Sequence, residues 1–298
     1  MTSELMDPAG KTFHYETAFA RNLGWITPEE QQILKNSCVA IAGLGGAGGF
    51  QIQALARLGI GAFKIADPDS FEMTNMNRQL GATMETLGRS KADVLRDMIL
   101  AINPEATVTV LKERINQDNV RSFLEHANLA IDGIDFFEQK AKWLFFRACR
   151  EAGMPAATCC PLGFGASVLT FLPGGMPYEE YFDLHESMED EPLRLAVAFG
   201  LSPKPFCFKY MAPDAFQPEK RLAGSVSPGL MLVGCITATE AVKILTGKYP
   251  PLKCPAIFQV DLLTHRVSRK IYRNGMKGPW MRLKKMAAMA YMKWKAKK

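Results

Sequence analysis

The sequence is short of the residues that several kinds of chemistry need. Its seven cysteines include no CxxC pair, so no structural zinc is expected. An odd number without framework spacing is not a secreted disulfide scaffold, and such usage points to a cytoplasmic protein. No run of about 18 uncharged apolar residues occurs, so no transmembrane helix is expected. The first residues, MTSELMDPAGKTF, lack a basic region followed by an apolar one, the pattern of a secretory signal. Histidine is scarce, with four scattered at 14, 126, 185 and 265, and none is assigned a catalytic role. No internal repeat is visible.

Acid is missing from one stretch altogether. Residues 272–298 carry nine Lys/Arg and no Asp or Glu. The net charge of +6 over 298 residues is therefore uneven, because residues 1–271 hold 27 basic and 30 acidic side chains. A mildly acidic body is joined to a strongly basic tail, a composition suited to solvation, an acidic partner or an anionic surface. The chain is 48% apolar, enough to bury a core.

What is present alternates. Thr27-Pro28-Glu29-Glu30 reads as a helix start, with Thr27 as N-cap and Glu30 three residues on. Val39–Ala42 is a short buried strand running into GLGGAGG (Gly43–Gly49) and a helix over Phe50–Leu58. Ala62–Ala66 is the next strand, which completes a βαβ unit with a parallel pairing and right-handed crossover. Further on come a helix over Lys91–Ile102, strands at Thr107–Leu111 and Leu129–Asp132, and a short helix over Asn119–His126. A helix over Glu138–Ala152 and strands at Pro155–Cys160 and Ala166–Phe171 follow. This predicts a doubly wound, Rossmann-like α/β fold with a mostly parallel sheet and helices on both faces.

Prolines at 173, 177, 192, 203, 205, 213 and 218 predict an irregular excursion over 173–225 with one short helix near Pro192–Phe199. An apolar helix over Pro228–Thr246, closed by Gly247, and a strand at Phe258–Leu262 complete the body. The expected organisation is an N-terminal helical segment (1–36), a main domain (37–271) and a basic amphipathic tail (272–298).

Three features carry chemistry. Gly43-Leu44-Gly45-Gly46-Ala47-Gly48 lies between strand and helix, where glycines admit a phosphate and the helix N-terminus supplies N–H donors. Asp67, 19 residues after Gly48, stands where an acid can hold ribose hydroxyls. These residues alone say only nucleotide, with a dinucleotide redox protein as the default. Asp67-Pro68-Asp69, Asn75-Met76-Asn77-Arg78-Gln79 and Gly88-Arg89-Ser90-Lys91 alter that reading. Arg78 and Lys91 bring two cations to the nucleotide, which suits a triphosphate whose charge builds on leaving pyrophosphate. Last, Asp132-Gly133-Ile134-Asp135 ends the fourth strand, where a carboxylate can hold Mg²⁺. Asp132 is read as structural.

In this order the motifs GLGGAG, DPD, NMNRQ, GRSK and DGID resemble the ThiF/MoeB/HesA family, bacterial relatives of ubiquitin-activating enzymes, over roughly residues 20–265. PGLMLVGCITATEAVKILTG (Pro228–Gly247) is similar to a late helix of that family. The resemblance implies an enzyme that uses Mg²⁺ and ATP to attach AMP to a carboxylate. The carboxylate belongs to the C-terminal Gly-Gly of a small carrier protein, a peptide or a modified tRNA base. It implies that Gly43, Gly45, Gly46 and Gly48 cradle the nucleotide and Asp67 holds ribose, with Asp69 and Gln79 in the same binding motifs. It further implies that Asn75, Arg78 and Lys91 contact phosphates and that Asp135 coordinates Mg²⁺. Arg21 is similar to an arginine that reaches the neighbouring subunit's site, which implies a homodimer.

The sequence departs from the family at Phe136, where Asn is usual, and in lacking two CxxC zinc pairs. Cys207, in the excursion, occupies the region of an acyl- or sulfur-accepting cysteine, although only Lys209 lies near it in sequence. Cys159 and Cys160 read as inert core. If the tail is helical from 281, Leu283, Met286, Ala287, Ala290 and Trp294 share a face that could meet an anionic membrane, RNA or a dimer partner. Two other readings remain open: a nucleotide-binding module that has lost its chemistry, and an NAD-dependent redox protein.

Overall fold

The computed structural model describes residues 12–212, 215–217, 222–284 and 286–287. Two helices, α1 (Tyr15–Ala18) and α2 (Pro28–Lys35), precede β1 (Cys38–Ala42), α3 (Gly46–Arg57) and β2 (Ala62–Ala66). Next come α4 (Lys91–Ile102), β3 (Thr107–Leu111), α5 (Val120–Leu124), β4 (Leu129–Asp132) and α6 (Gln139–Glu151). Then follow β5 (Ala156–Leu162), β6 (Gly165–Phe171), α7 (Tyr178–Phe182) and α8 (Asp190–Leu201). The last are β7 (Phe216–Gln217), β8 (Leu222–Ala223), α9 (Ser227–Thr246), β9 (Ala256–Asp261) and β10 (Arg266–Ile271).

The expected start of α2 is a full capping box. Glu30 donates its N–H to Thr27 Oγ1 at 3.2 Å, and Thr27 donates its N–H to Glu30 Oε2 at 2.8 Å.

Eight strands form one sheet in the order β10-β9-β6-β5-β4-β1-β2-β3. The pairings β5–β4, β4–β1, β1–β2 and β2–β3 are parallel, and β5–β6, β6–β9 and β9–β10 are antiparallel. The doubly wound α/β architecture is present, with its antiparallel pairings confined to one end. Side-chain alternation along β1 explains the two layers. Val39 and Ile41 join a core with α2, α3, α4 and α9, while Ala40 and Ala42 join the other with α5, α6, α7 and α8.

α9 is long and apolar enough, by length and composition, to cross a membrane. Here it packs on α3, β5 and β6. Its buried Glu240 accepts the Leu252 N–H at 2.8 Å and pairs with Lys243. A satisfied buried carboxylate of this kind marks a core helix.

Three elements differ from expectation. α3 begins at Gly46, four residues early, because its glycines pack tightly against neighbours and outweigh their poor helix propensity. The excursion is more regular than its prolines suggest, with α7 and the twelve-residue α8, in which Pro192 sits in the first turn where its missing N–H costs nothing. β10 escaped the sequence reading because nearly all of it is exposed, so no apolar alternation marks it.

The tail is helical at 279–284, with Met276 and Met281 buried in the core shared with α7 and α8. Leu283 and Met286 of the expected apolar face are exposed, whereas Ala290 and Trp294 lie outside the described residues.

Candidate active site

Parallel strands put all their C-terminal ends at one edge. Ala42 at the end of β1 pairs with Ala66 of β2 on one side and Asp132 of β4 on the other. The glycine turn, Asp67 and the Gly133–Asp135 turn therefore leave the sheet at one level. β1 is also where the strand order reverses, the crevice in which open α/β sheets bind ligands.

The four candidate glycines divide into two pairs. A Cβ on Gly48 would lie 2.0 Å from the Gly43 carbonyl oxygen, and one on Gly43, whose φ is +87°, would lie 2.3 Å from the Gly133 carbonyl group. Both are required by backbone-on-backbone packing. Gly45 and Gly46 are not held in that way. A Cβ on Gly45 would meet only the Gln79 side chain at 3.6 Å, and one on Gly46 only the Leu230 side chain. Gly45 is the N-cap of α3 with no side-chain hydrogen bond, so the first N–H groups of a twelve-residue helix face the crevice beside it.

Asp67 does more than the sequence predicted. It is buried, and it accepts the Leu44 N–H at 2.6 Å and the Asp69 N–H at 2.8 Å. Burial pushes its carboxyl above the ordinary value, opposed by those two bonds. It fixes the glycine turn, and each oxygen keeps a lone pair for a ribose hydroxyl.

Lys91 opens α4, is nearly fully buried and pairs with Asp69 at 3.3 Å. Asn75 is turned inward to the local backbone, accepting the Glu72 N–H at 3.1 Å. Arg78 donates to the Thr74 carbonyl and Asn77 Oδ1 and meets no carboxylate among the described residues. Gln79 is buried, and its Oε1 has no hydrogen-bond partner. The Gln79 Nε2 is the atom nearest Gly45, 3.6 Å from where a Cβ would sit, so this amide flanks the bare start of α3, and its orphaned oxygen would accept from a hydroxyl or amine of a bound nucleotide.

Asp135 is exposed in the turn between β4 and α6, where one oxygen accepts the Phe137 N–H at 3.1 Å. No group of three His, Cys, Asp or Glu is arranged for a metal among the described residues. Magnesium bound with ATP asks for only one or two carboxylates, because phosphate oxygens and water complete its shell, so this donor set fits. Phe136 packs against the core and lies edge-on to Phe137 at 5.4 Å, so it stabilises the turn.

Two candidates stand apart. Asn22 donates to the carbonyl of Leu58, which places Arg21 near the C-terminal end of α3. That is the length of a twelve-residue helix, roughly 18 Å, from the chain's own glycine turn. Cys207 is buried on the turn Phe206–Lys209, and burial pushes its thiol up, away from the reactive thiolate. The thiols of Cys149 and Cys159 are also pushed up by burial. All four histidines are exposed.

One residue of consequence was missed. Lys142 is buried and donates to both oxygens of buried Asp132 at 2.8 and 2.7 Å. Asp132 also accepts from Thr158 Oγ1 at 2.8 Å and from the Ile134 N–H at 3.0 Å, so it holds the turn that carries Asp135. The signal was a lysine on the otherwise buried stripe Gln139–Lys142–Phe145–Phe146–Cys149, which calls for a buried acid.

A model of the ThiF family matches residues 19–276. The chain is 28% identical over 228 residues to the sulfur carrier protein ThiS adenylyltransferase of Escherichia coli (strain K12), covering 76% of this chain and 79% of that protein. It is 40% identical over 118 residues to the tRNA threonylcarbamoyladenosine dehydratase of Bacillus subtilis (strain 168), covering 39% of this chain and 46% of that one, about half its length. Among solved structures, PaaA superposes with a TM-score of 0.66 at 21% identity, over 91% of this chain and 86% of that one. E. coli MccB with ATP gives 0.60 at 20% identity, over 81% and 65%. These two likenesses speak to the fold. The family match runs from the turn before α2 to the turn after β10, through every strand of the main sheet, and the chain belongs to the ThiF family.

Proposed function

We propose that this ThiF-family adenylyltransferase uses Mg·ATP to convert a substrate carboxylate into an acyl-adenylate. The uncapped start of α3 at Gly45, with the Gln79 amide beside it, is the observation that carries the reading. The free N–H groups there hold phosphate oxygens, and Asp67 accepts from ribose. A carboxylate oxygen attacks the α-phosphorus, and the bond from that phosphorus to the bridging oxygen of pyrophosphate breaks. The nucleophile is already ionised at neutral pH, so positioning and charge stabilisation suffice without a general base. Lys91 and Arg78 stabilise the charge that collects on pyrophosphate. Asp135 would hold Mg²⁺, which supplies further neutralisation of the phosphates.

The ThiS adenylyltransferase resemblance extends over about three-quarters of both chains, whereas the tRNA dehydratase resemblance covers about half of its own. The C-terminal carboxylate of a small carrier protein is therefore the first substrate to test. Arg21, remote from its own glycine turn, serves the site of a second copy in a homodimer.

Substrate-dependent ATP–pyrophosphate exchange tests the reading. Exchange should fall by about two to three powers of ten in Asp135→Ala, the worth of a metal ligand at a charged transition state. Unchanged exchange in that variant would remove the Mg²⁺ assignment. Mixing Asp135→Ala with Arg21→Ala subunits should restore part of the exchange that each lacks alone. No recovery would argue against action across a dimer.

A further inference from the structure

We infer that the C-terminal surface built from β10 and the helix after it is a docking surface for anionic lipid bilayers. No acid follows Asp261 in the sequence, while twelve Lys/Arg do. Arg269, Lys270, Arg273, Lys277, Arg282 and Lys284 are all exposed, and none lies within 4 Å of a carboxylate among the described residues. The body behaves differently. Its surface cations are widely paired, as in Arg89–Asp97, Lys112–Asp93, Arg121–Glu151, Lys140–Asp190 and Lys248–Glu30. Some body cations, Arg78 among them, also lack a carboxylate partner among the described residues, but only after Asp261 does the sequence supply cations and no acid at all.

The apolar side chains in that region distinguish between anionic partners. Trp280, Leu283 and Met286 are 65%, 55% and 67% exposed and recur at helical spacing. The same segment is anchored from behind, since Met276 and Met281 are buried in the core. The outer side therefore presents an indole and two aliphatic chains between cations on a base fixed to the fold. Phosphate backbones offer Leu and Met nothing, whereas a bilayer interface takes both the apolar groups and the charge. Cations on an edge strand also discourage strand pairing, which accounts for Arg269 and Lys270 but not for the exposed Trp280 and Leu283. The sequence continues, beyond the described residues, with Met289, Tyr291, Met292 and Trp294 and with Lys293, Lys295, Lys297 and Lys298.

Sedimentation of the full chain with phosphatidylglycerol–phosphatidylethanolamine vesicles, against phosphatidylcholine vesicles, tests the proposal. Binding to the anionic vesicles alone, falling at least about tenfold between low and high salt, is expected. The triple variant K277E/R282E/K284E should lose about fivefold per cation or more. Trp280→Ser with Leu283→Ser should weaken binding at constant charge, and both variants should keep wild-type ATP–pyrophosphate exchange. Failure to sediment with anionic vesicles, equal binding to phosphatidylcholine, or indifference to the serine changes would overturn the proposal. So would binding of an RNA hairpin without binding of vesicles.

Discussion

The two ends of the sheet use the same hydrogen bonds for different purposes. In the parallel half, β3-β2-β1-β4-β5, the strands end together, and side chains leaving them converge on one crevice. There the polar groups are buried and locked: Asp67 by two backbone N–H groups, Asp132 by Lys142 and Thr158, Lys91 by Asp69. In the antiparallel half, β6-β9-β10, successive strands run opposite ways, so their ends do not gather at one edge. Its polar contacts brace loops instead. Tyr210 donates to Asp261 at 2.7 Å and accepts the Phe164 N–H at 3.1 Å, pinning the β5–β6 turn to the end of β9. Burial and the Asp261 bond push the Tyr210 phenol up to about 12, as fits a group that stays neutral. Parallel topology concentrates chemistry, and the antiparallel strands extend the surface around it.

If that contrast is right, substitutions in the parallel half should cost more. Lys142→Ala leaves the Asp132 carboxylate buried and uncompensated, an expected loss of about 3–5 kcal/mol in denaturant unfolding. A loss near zero would show that the pair is wet and would break the comparison. Gly48→Ala sets a methyl group 2.0 Å from the Gly43 carbonyl oxygen, backbone against backbone, and should cost about 2–3 kcal/mol. Its thermal melting should drop well below that of wild type. Tyr210→Phe, in the antiparallel half, should cost only about 1 kcal/mol, the value of one hydrogen-bonded hydroxyl.

The smallest effect concerns pH. A carboxyl raised by the fold adds stability at acid pH that is lost as pH climbs through its folded value. Asp67→Asn should therefore gain on wild type by up to about 1 kcal/mol between pH 4 and pH 7. The opposite slope in paired melting curves would mean that the two N–H bonds outweigh burial.

Legibility follows the same division. The bounds of β2, α4, β3 and β4 are those read from the sequence, since a buried strand or an amphipathic helix between turn residues declares itself locally. β10 did not, because only its pairing with β9 defines it. Within the site, strand–turn–helix order marked the glycine turn, but it could not separate Gly43 and Gly48 from Gly45 and Gly46. That separation depends on Gly133, ninety residues after Gly43. Asn75 is another case, as a motif position cannot show that its amide turns to the local backbone.

By itself the sequence determined the alternation of strands and helices, the placing of the glycine turn between β1 and α3, and the uneven charge between body and tail. These depend on periodicity, turn chemistry and composition, which neighbouring residues carry. Only the tertiary structure decided which glycines are structural, that Lys142 neutralises Asp132, that Arg21 stands far from its own crevice, and that the tail begins fixed to the core. Each of those is a contact made only when separate elements fold against one another, or the lack of one, and the sequence pattern does not name the partner.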